Sequence, residues 1–439
     1  MMNVWVSKII DNRKVLRELN TQEIRSVKKD FRCILCKGSK LLCGKARCPI
    51  LVRVYAQVKI KPFIEKTELE GSSPPDIFIG RIGYPYVYIG PLIPPLKGDT
   101  SILSCPEFWH GKSIDEIIDL RFQLVRGKYK THVKNFKGKI IELTREIALS
   151  KNSVESEAYF TKKPYGSLVL DDEVQPFGPS APLKNLFVSS IKTDQKIEKA
   201  YSDTDLKASE AVFWLYKKGV LISRIQRAFS AGLFGIEENR RLTPTRWSIT
   251  AVDSTISQKL LEQVKTFPLI NEFRVYEHEA LDNKWIVLMI PDYWSYEQME
   301  GWYPGTTWNP KGKNIWIISD WEGFEGRTTY AKTGGCYYST RLSVAEQLVK
   351  ERRQATVITF REIHPGYLMP VGVWHTRESI REAVSKKPGA FKSLEEALKY
   401  INSKLTIPLK NWVENASLLK IILYQKKISE FLKKENLCK

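Results

Sequence analysis

The fold class turns on the run from Trp285 to Ile290, WIVLMI. Six successive apolar residues, mostly β-branched or aromatic, fit a strand packed on a pleated surface. A second such run, NIWIIS at 314–319, follows, and the chain from Trp285 to Tyr338 is rich in Trp, Tyr and Gly. This portion reads as sheet. Upstream, the runs IFIG and YVYIG lie in a Gly/Pro-dense section from Glu70 to Lys97, which predicts short strands joined by fixed turns. Helices are signalled by capping boxes. Ser113 with Glu116 opens IDEIIDLRFQL, and the pairs Ser343–Glu346 and Ser393–Glu396 predict two more near the end. In the last of these, Leu394, Leu398, Ile401 and Leu405 recur at helical spacing. Residues 51–64 read as partly helical at their start, and 171–185 as a loop. The fold class expected is α+β, with mixed sheets and C-terminal helices.

A chain of 439 residues can bury a sizeable core, and 43% hydrophobic residues is ordinary globular composition. No run approaches the roughly 18 apolar residues of a membrane span. Charges at Lys8, Asp11, Arg13 and Lys14 occupy the place of a signal peptide's apolar core, so a soluble intracellular protein is expected. Lys and Arg number 69 against 49 acids, a formal charge of +20. An excess of that size favours polyanions, nucleic acid above all, through counterion release.

The basic residues cluster. Residues 1–48 hold twelve Lys or Arg against four acids, and RFQLVRGKYKTHVKNFKGK (121–139) has seven and no acid. Within the latter, Arg121, Arg126, Lys128, Lys130 and Lys134 alternate with Phe122, Tyr129 and Phe136, as a surface tracking a nucleic-acid backbone would. A solvated helix face followed by a basic loop would look similar. In RRLTPTRWSITAVDSTIS, Arg240, Arg241 and Arg246 could grip phosphates by forked hydrogen bonds while Trp247 stacks on a base. The competing reading puts Trp247 and Ile249 in the core and the arginines in salt bridges.

Cys33, Cys36, Cys43 and Cys48 form a C-x2-C-x6-C-x4-C array, with Gly38 and Gly44 for turning. Four thiolates so placed can surround one tetrahedral Zn2+, and Lys37, Lys40, Lys45 and Arg47 favour the thiolate form. Such a site is closed and structural. Disulfides and free buried thiols are the rival readings. Catalytic signatures are missing: no phosphate-binding glycine loop, zinc-protease helix, nucleophile elbow or dinucleotide fingerprint occurs. Asp171, Asp172 and Glu173 could hold Mg2+, but an acidic triplet beside a proline-rich loop is more simply a solvated turn. Asp253 could serve as an acid/base group, yet nothing in the sequence pairs it with a partner. No small-molecule substrate is evident, and no reaction is assigned.

The octet QKKISEFL (425–432) closes the chain's patterned part. In a single helical turn Ile428, Phe431 and Leu432 project from one side as a plug for another protein's surface, with Gln425 just ahead. Leu418, Ile421, Ile422, Gln425, Ile428 and Leu432 equally fit the last apolar stripe of a helix folding on its own core.

Several stretches resemble one family. CGKARCPI, GRIGYPYVYIGP, RRLTPTRWSITAVD, GGCYYSTRLSVAEQL and PVGVWHTRESIREA are similar to the characteristic blocks of the archaeal Nre DNA-repair proteins. The resemblance runs from about Phe31 to about Leu405. It implies a basic cysteine-bearing segment over 1–50, a larger conserved α+β region over 51–283, a smaller one over 284–405, and a tail over 406–439. It also implies a role in DNA-damage repair in an archaeal cytoplasm, and a clamp-binding tail. Gln425, Ile428, Phe431 and Leu432 would bind the sliding clamp PCNA, with Leu432 where the fullest pattern has a second aromatic. The family's zinc-type array matches Cys33, Cys36, Cys43 and Cys48. The resemblance fixes no catalytic activity, so a nuclease-like enzyme and an adaptor that never grips DNA are the alternatives to a clamp-recruited, DNA-associated factor.

Overall fold

The structure is a computed structural model, and it describes residues 35–43, 45, 47–166 and 177–425. Helix α1 (Pro49–Ile64) leads into a first sheet built from β1 (Glu68–Ser73), β2 (Ile77–Ile79), β3 (Tyr86–Ile93), β4 (Val125–His132), β5 (Val154–Phe160) and β6 (Ser180–Val188). Its order is β1-β5-β6-β4-β3-β2, and only β4 and β6 run parallel. Helix α2 (Ile114–Phe122) precedes β4, and α3 (Lys139–Leu149) packs on the sheet with Ile140, Leu143 and Ile147. Four helices follow: α4 (Gln195–Ser202), α5 (Ala208–Lys217), α6 (Ile222–Ser230) and the long α7 (Thr245–Val264).

The second sheet comprises β7 (Phe273–Ala280), β8 (Asn283–Ile290), β9 (Ser295–Trp302), β10 (Trp316–Glu322), β11 (Thr356–Ile363) and β12 (Gly389–Phe391), in the order β10-β9-β11-β8-β7-β12. Only β9 and β11 are parallel. Its helices are α8 (Gly335–Glu351), α9 (Val373–Ser385), α10 (Leu394–Lys404), α11 (Leu409–Asn415) and α12 (Leu418–Tyr424). The fold is therefore mixed α+β with two mixed sheets.

The run 285–290 explains this sheet's layering. Side chains alternate across a strand, and both faces here are covered. Trp285, Val287 and Met289 join the core shared with α6 to α9, while Ile286, Leu288 and Ile290 meet Ala397, Ile401, Trp412 and Leu419 of α10 to α12. The C-terminal helices gain anchors from the same sheet. Buried Glu297 of β9 accepts hydrogen bonds from the Ser417 and Leu419 amides at 2.6 and 2.9 Å. It thereby caps the start of α12, whose own Ser417 side chain makes no capping bond. Glu362 of β11 takes the Thr406 and Ile407 amides ahead of α11 in the same way.

Three local expectations meet different outcomes. The capping boxes at Ser113 and Ser393 open α2 and α10, with Ser113 Oγ and Ser393 Oγ each accepting the amide three residues on. Ser343 instead lies inside α8, where its hydroxyl donates to the Ser339 and Arg377 carbonyls. That helix starts at Gly335, because a serine can bond back one turn as readily as cap. Helix α1 runs to Ile64, past the partly helical start expected, with Pro49 at its first turn and Pro62 in its last. Of the segment expected as a loop, 171–176 lie outside the described residues, but the chain from Ser180 is strand. Ala181, Leu183 and Leu186 give β6 its buried face, and a register shift at Tyr159/Phe160 eases the pairing near Pro182. No helix among the described residues is long and apolar enough to cross a membrane.

Candidate nucleic-acid interface

Strand β3 carries tyrosines on one face and aliphatics on the other. Val87 and Ile89 are wholly buried, whereas Tyr86 and Tyr88 are 56% and 43% exposed. The antiparallel register sets Tyr86 opposite His132 and Tyr88 opposite Lys130 of β4, so all four share the outer face. The rings of Tyr86 and His132 meet edge-on at 5.2 Å. The segment from Arg240 to Trp247 is fastened to this end of the sheet by the backbone. Leu242 N–H donates to the Val133 carbonyl at 2.8 Å, and Ile79 N–H donates to Thr245 Oγ1 at 3.0 Å. Trp247, in the first turn of α7, is 45% exposed, and its ring lies 5.1 Å from that of Tyr84.

One surface thus combines Tyr84, Tyr86, Tyr88 and Trp247 with exposed Lys130, Lys134, Arg241 and Arg246. No salt bridge among the described residues involves Lys130, Lys134 or Arg241. Lys128 is half-buried, and burial, then the nearby Arg126, lowers its pKa. Aromatic faces beside exposed cations are what a single strand needs, since bases stack on the rings while phosphates meet the charges.

The remaining site candidates are placed elsewhere. Arg126 is buried, its guanidinium 4.5 Å from the Phe78 ring centre and 3.7 Å from that of Phe177. Arg240 donates to the carbonyls of Gly235, Tyr201 and Asp203, so it pins the loop ahead of α7. Arg121 is half-buried at the end of α2 and faces the interior. Asp253 is fully buried, accepts from Gln226 at 2.9 Å and pairs with Arg377 at 3.1 Å. Residues 171–173 lie outside the described residues. Neither Tyr84, Tyr86 nor Tyr88 stood among the sequence candidates. Their signal is the alternation YPYVY, which marks an outer aromatic face as well as a strand.

Of the cysteine array, Cys33 lies outside the described residues. Cys36 sits at a tight turn whose next two residues, Lys37 and Gly38, have positive φ of 48° and 76°. The Cys36 thiol's pKa is lowered, chiefly by the backbone amide of Leu42, against the opposing effect of burial. Gly38 is required at this turn by its positive φ and by the Leu51 side chain, which comes within 2.6 Å of where a Cβ would stand. A lowered thiol pKa favours the thiolate form that a zinc ligand requires, at Cys36 alone among the described residues of the array. Among the described residues no group of three or more His, Cys, Asp or Glu side chains is arranged to hold a metal ion. At the other end, α12 stops at Tyr424 and Gln425 is exposed and extended (φ −85°, ψ 119°). Ile428, Phe431 and Leu432 lie outside the described residues.

Two family models match in tandem. The description "Archaeal Nre, N-terminal" covers residues 42–309, and "Archaeal Nre, C-terminal" covers 322–431. The chain belongs to the archaeal Nre family. Among Nre relatives, the DNA repair protein NreB of Archaeoglobus fulgidus is 40% identical over 389 residues, 88% of this chain and 97% of that protein. NreA of the same organism is 37% identical over 84% of this chain and 92% of its own length. NreA of Haloferax volcanii, also called a DNA repair protein, is 33% identical over 80% and 87%. No solved structure matches the chain. The first Nre region contributes the whole aromatic and basic face described above, since all eight of its residues fall within 42–309.

Proposed function

We propose that this protein is a DNA-damage repair factor that holds DNA on the outer face of β3, β4 and the start of α7, and that the sliding clamp PCNA recruits it through Gln425, Ile428, Phe431 and Leu432. The DNA-repair role follows from the relatives that carry that name. The DNA contact rests chiefly on one observation. Two basic segments more than a hundred residues apart in sequence meet on a single surface, with four exposed aromatic rings between them. The clamp reading is supported by the end of α12, because an exposed, extended Gln425 interrupts the continuous stripe that a core helix would require. Zinc would be held by Cys33, Cys36, Cys43 and Cys48 and would stabilise the segment leading into α1. An active site centred on Asp253 finds no support, as that carboxylate is enclosed and already paired with Arg377.

Fluorescence anisotropy with single-stranded and duplex oligonucleotides, measured as a function of salt, tests the DNA reading. Trp247→Ala should weaken single-strand binding by roughly 5- to 150-fold, the loss of one stacked base at about 1–3 kcal/mol. Lys130→Glu and Lys134→Glu should each reduce the slope of log K against log salt by about one. Unchanged binding in all three variants would remove this face from the function, and no binding at low salt would favour the adaptor.

A further inference from the structure

The hairpin that joins β2 to β3 ends in a tip, Gly80 to Pro85, standing clear of the core. Residues 81–86 are exposed without a break, and Ile82, at 84%, is the most exposed large apolar side chain among the described residues. A lone exposed aliphatic is ordinary, but this one is held on a braced support. Gly80 N–H donates to the Tyr88 carbonyl at 2.8 Å, Tyr86 N–H to the Gly83 carbonyl at 2.9 Å, and Val133 N–H to the Pro85 carbonyl at 3.0 Å. Gly83 turns the chain at a φ of 88°, where a Cβ would come within 3.0 Å of the Tyr86 carbonyl oxygen. The Tyr84 ring rests against Trp247.

The surroundings say what such a tip would meet. Strands β3 and β4 are antiparallel, so the tip stands beside the end of β4 and the loop after it, and the Leu242 and Ile79 bonds bring 240–247 to the same end. The three segments 80–86, 130–139 and 240–247 contain eight Lys or Arg and no acid. Of these, Arg81, Lys134, Lys137, Arg241 and Arg246 are exposed. Positive charge around an apolar point suits a polyanion that also offers apolar faces, which is DNA where its base stack is open. Isoleucine has no π-face and makes a poor stacking platform, but aliphatic side chains do serve as wedges between base steps. Magnitude decides which DNA it suits. Burying one isoleucine returns about as much as opening one intact duplex step costs, so a continuous duplex yields little net gain. Where the stack already ends, nothing has to be opened and the gain is kept.

We propose that Ile82 is a wedge that caps the last base pair of a DNA duplex where it opens into a single strand, so that the preferred substrate is a forked duplex. The unpaired strand continues along Tyr84, Tyr86, Tyr88 and Trp247, and the exposed cations of this end meet the phosphates of the duplex arm. The inference rests on the proposal that this face holds DNA, and adds the form of DNA that it selects.

The test is fluorescence anisotropy of the full chain with three DNAs of equal nucleotide count: a single strand, a blunt duplex and a forked duplex. The wild type should bind the fork most tightly. Ile82→Ser should weaken fork binding by about tenfold or more, the worth of one buried isoleucine. It should leave single-strand binding and the melting temperature where they were, since Ile82 is exposed and lies outside the face of rings. Ile82→Leu should keep the fork affinity. A wild type that binds the blunt duplex as tightly as the fork would overturn the proposal. So would an Ile82→Ser protein that binds the fork as the wild type does, or one that loses fork and blunt duplex alike. A wild-type dimer that Ile82→Ser splits in sedimentation would give the tip to a second copy and overturn it too. The wedge and the face fail separately. Single-strand binding that ignores Trp247→Ala and Lys130→Glu removes the face, whereas Trp247-dependent single-strand binding with no effect of Ile82→Ser on the fork removes only the wedge. No binding of any of the three DNAs at low salt removes both.

Discussion

Arg240 and Trp247 stand seven positions apart in one basic stretch and have opposite fates. The guanidinium of Arg240 is absorbed by three main-chain carbonyls, while Trp247 keeps nearly half its surface in solvent. Their residue types could not separate these outcomes, because arginine serves loops and ligands with the same donors. His278 carries a residue-level prediction. Its half-buried ring has Lys386 Nζ at 3.2 Å from Nδ1, faces His110 at 5.3 Å and stacks near Trp285 at 6.2 Å. Burial, then the charges of Lys386 and His110, bring its pKa down to about 4, against partial opposition from Glu382 and Glu279. The unfolded chain therefore binds a proton near pH 6.5 that the folded chain refuses. Stability from this group is present above that pH and is lost as pH falls toward 4. Buried His375 acts in the same direction. The urea midpoint of the wild type should fall more steeply over this window than that of His278→Gln. Parallel curves would mean that the ring titrates alike in both states.

At the scale of elements, much of the fold was legible before any coordinates. WIVLMI became β8, NIWIIS gave β10, and two of three capping boxes opened helices. These signals are local, carried by neighbours a few residues apart. What escaped notice was set by distant partners. Nothing near Ser343 reveals that its turn is already helical, and nothing near Glu297 reveals that it caps a helix about 120 residues later. The candidate interface was half-legible for the same reason: both basic stretches were visible, but their meeting depends on the Leu242–Val133 and Ile79–Thr245 bonds. The Glu297 cap has a measurable worth. Glu297→Ala leaves two helix-terminal amides without their buried acceptor and should lower stability by roughly 2–4 kcal/mol. Hydrogen exchange should quicken first at residues 418–424. Exchange that quickens uniformly would place the role of Glu297 in the sheet and not in the cap.

Across the whole molecule, charge and partner attachment belong together. With a net charge of +20, non-specific DNA binding should weaken steeply with salt, while an apolar plug in a clamp pocket should not. The two activities should therefore separate. Ile428→Ala combined with Phe431→Ala should abolish clamp binding in calorimetry, leave DNA affinity intact, and move the melting temperature by less than about a degree, since a chain terminus bears little of the core. A large loss of stability with clamp binding retained would return those residues to the core stripe. Zinc belongs to this scale too, because the cysteines precede the first helix. Metal analysis should find about one zinc per chain, lost on Cys36→Ser with Cys48→Ser. A metal-free wild type of unchanged melting temperature would exclude it.

The cap on α12 also sets a leash. Glu297 fixes the start of a seven-residue helix to a central strand, and that helix ends one residue before Gln425, the first position of the proposed clamp motif. The described chain runs directly into the first position of that motif. From Gln425 to Ile428 the chain can reach only about 10 Å even when fully extended. A clamp engaged there would meet this protein at a nearly fixed address. The face of β3 and β4 would then be aimed at the encircled DNA or turned away from it once and for all. Inserting a flexible linker after Tyr424 would show which, by whether DNA binding on a loaded clamp weakens or improves.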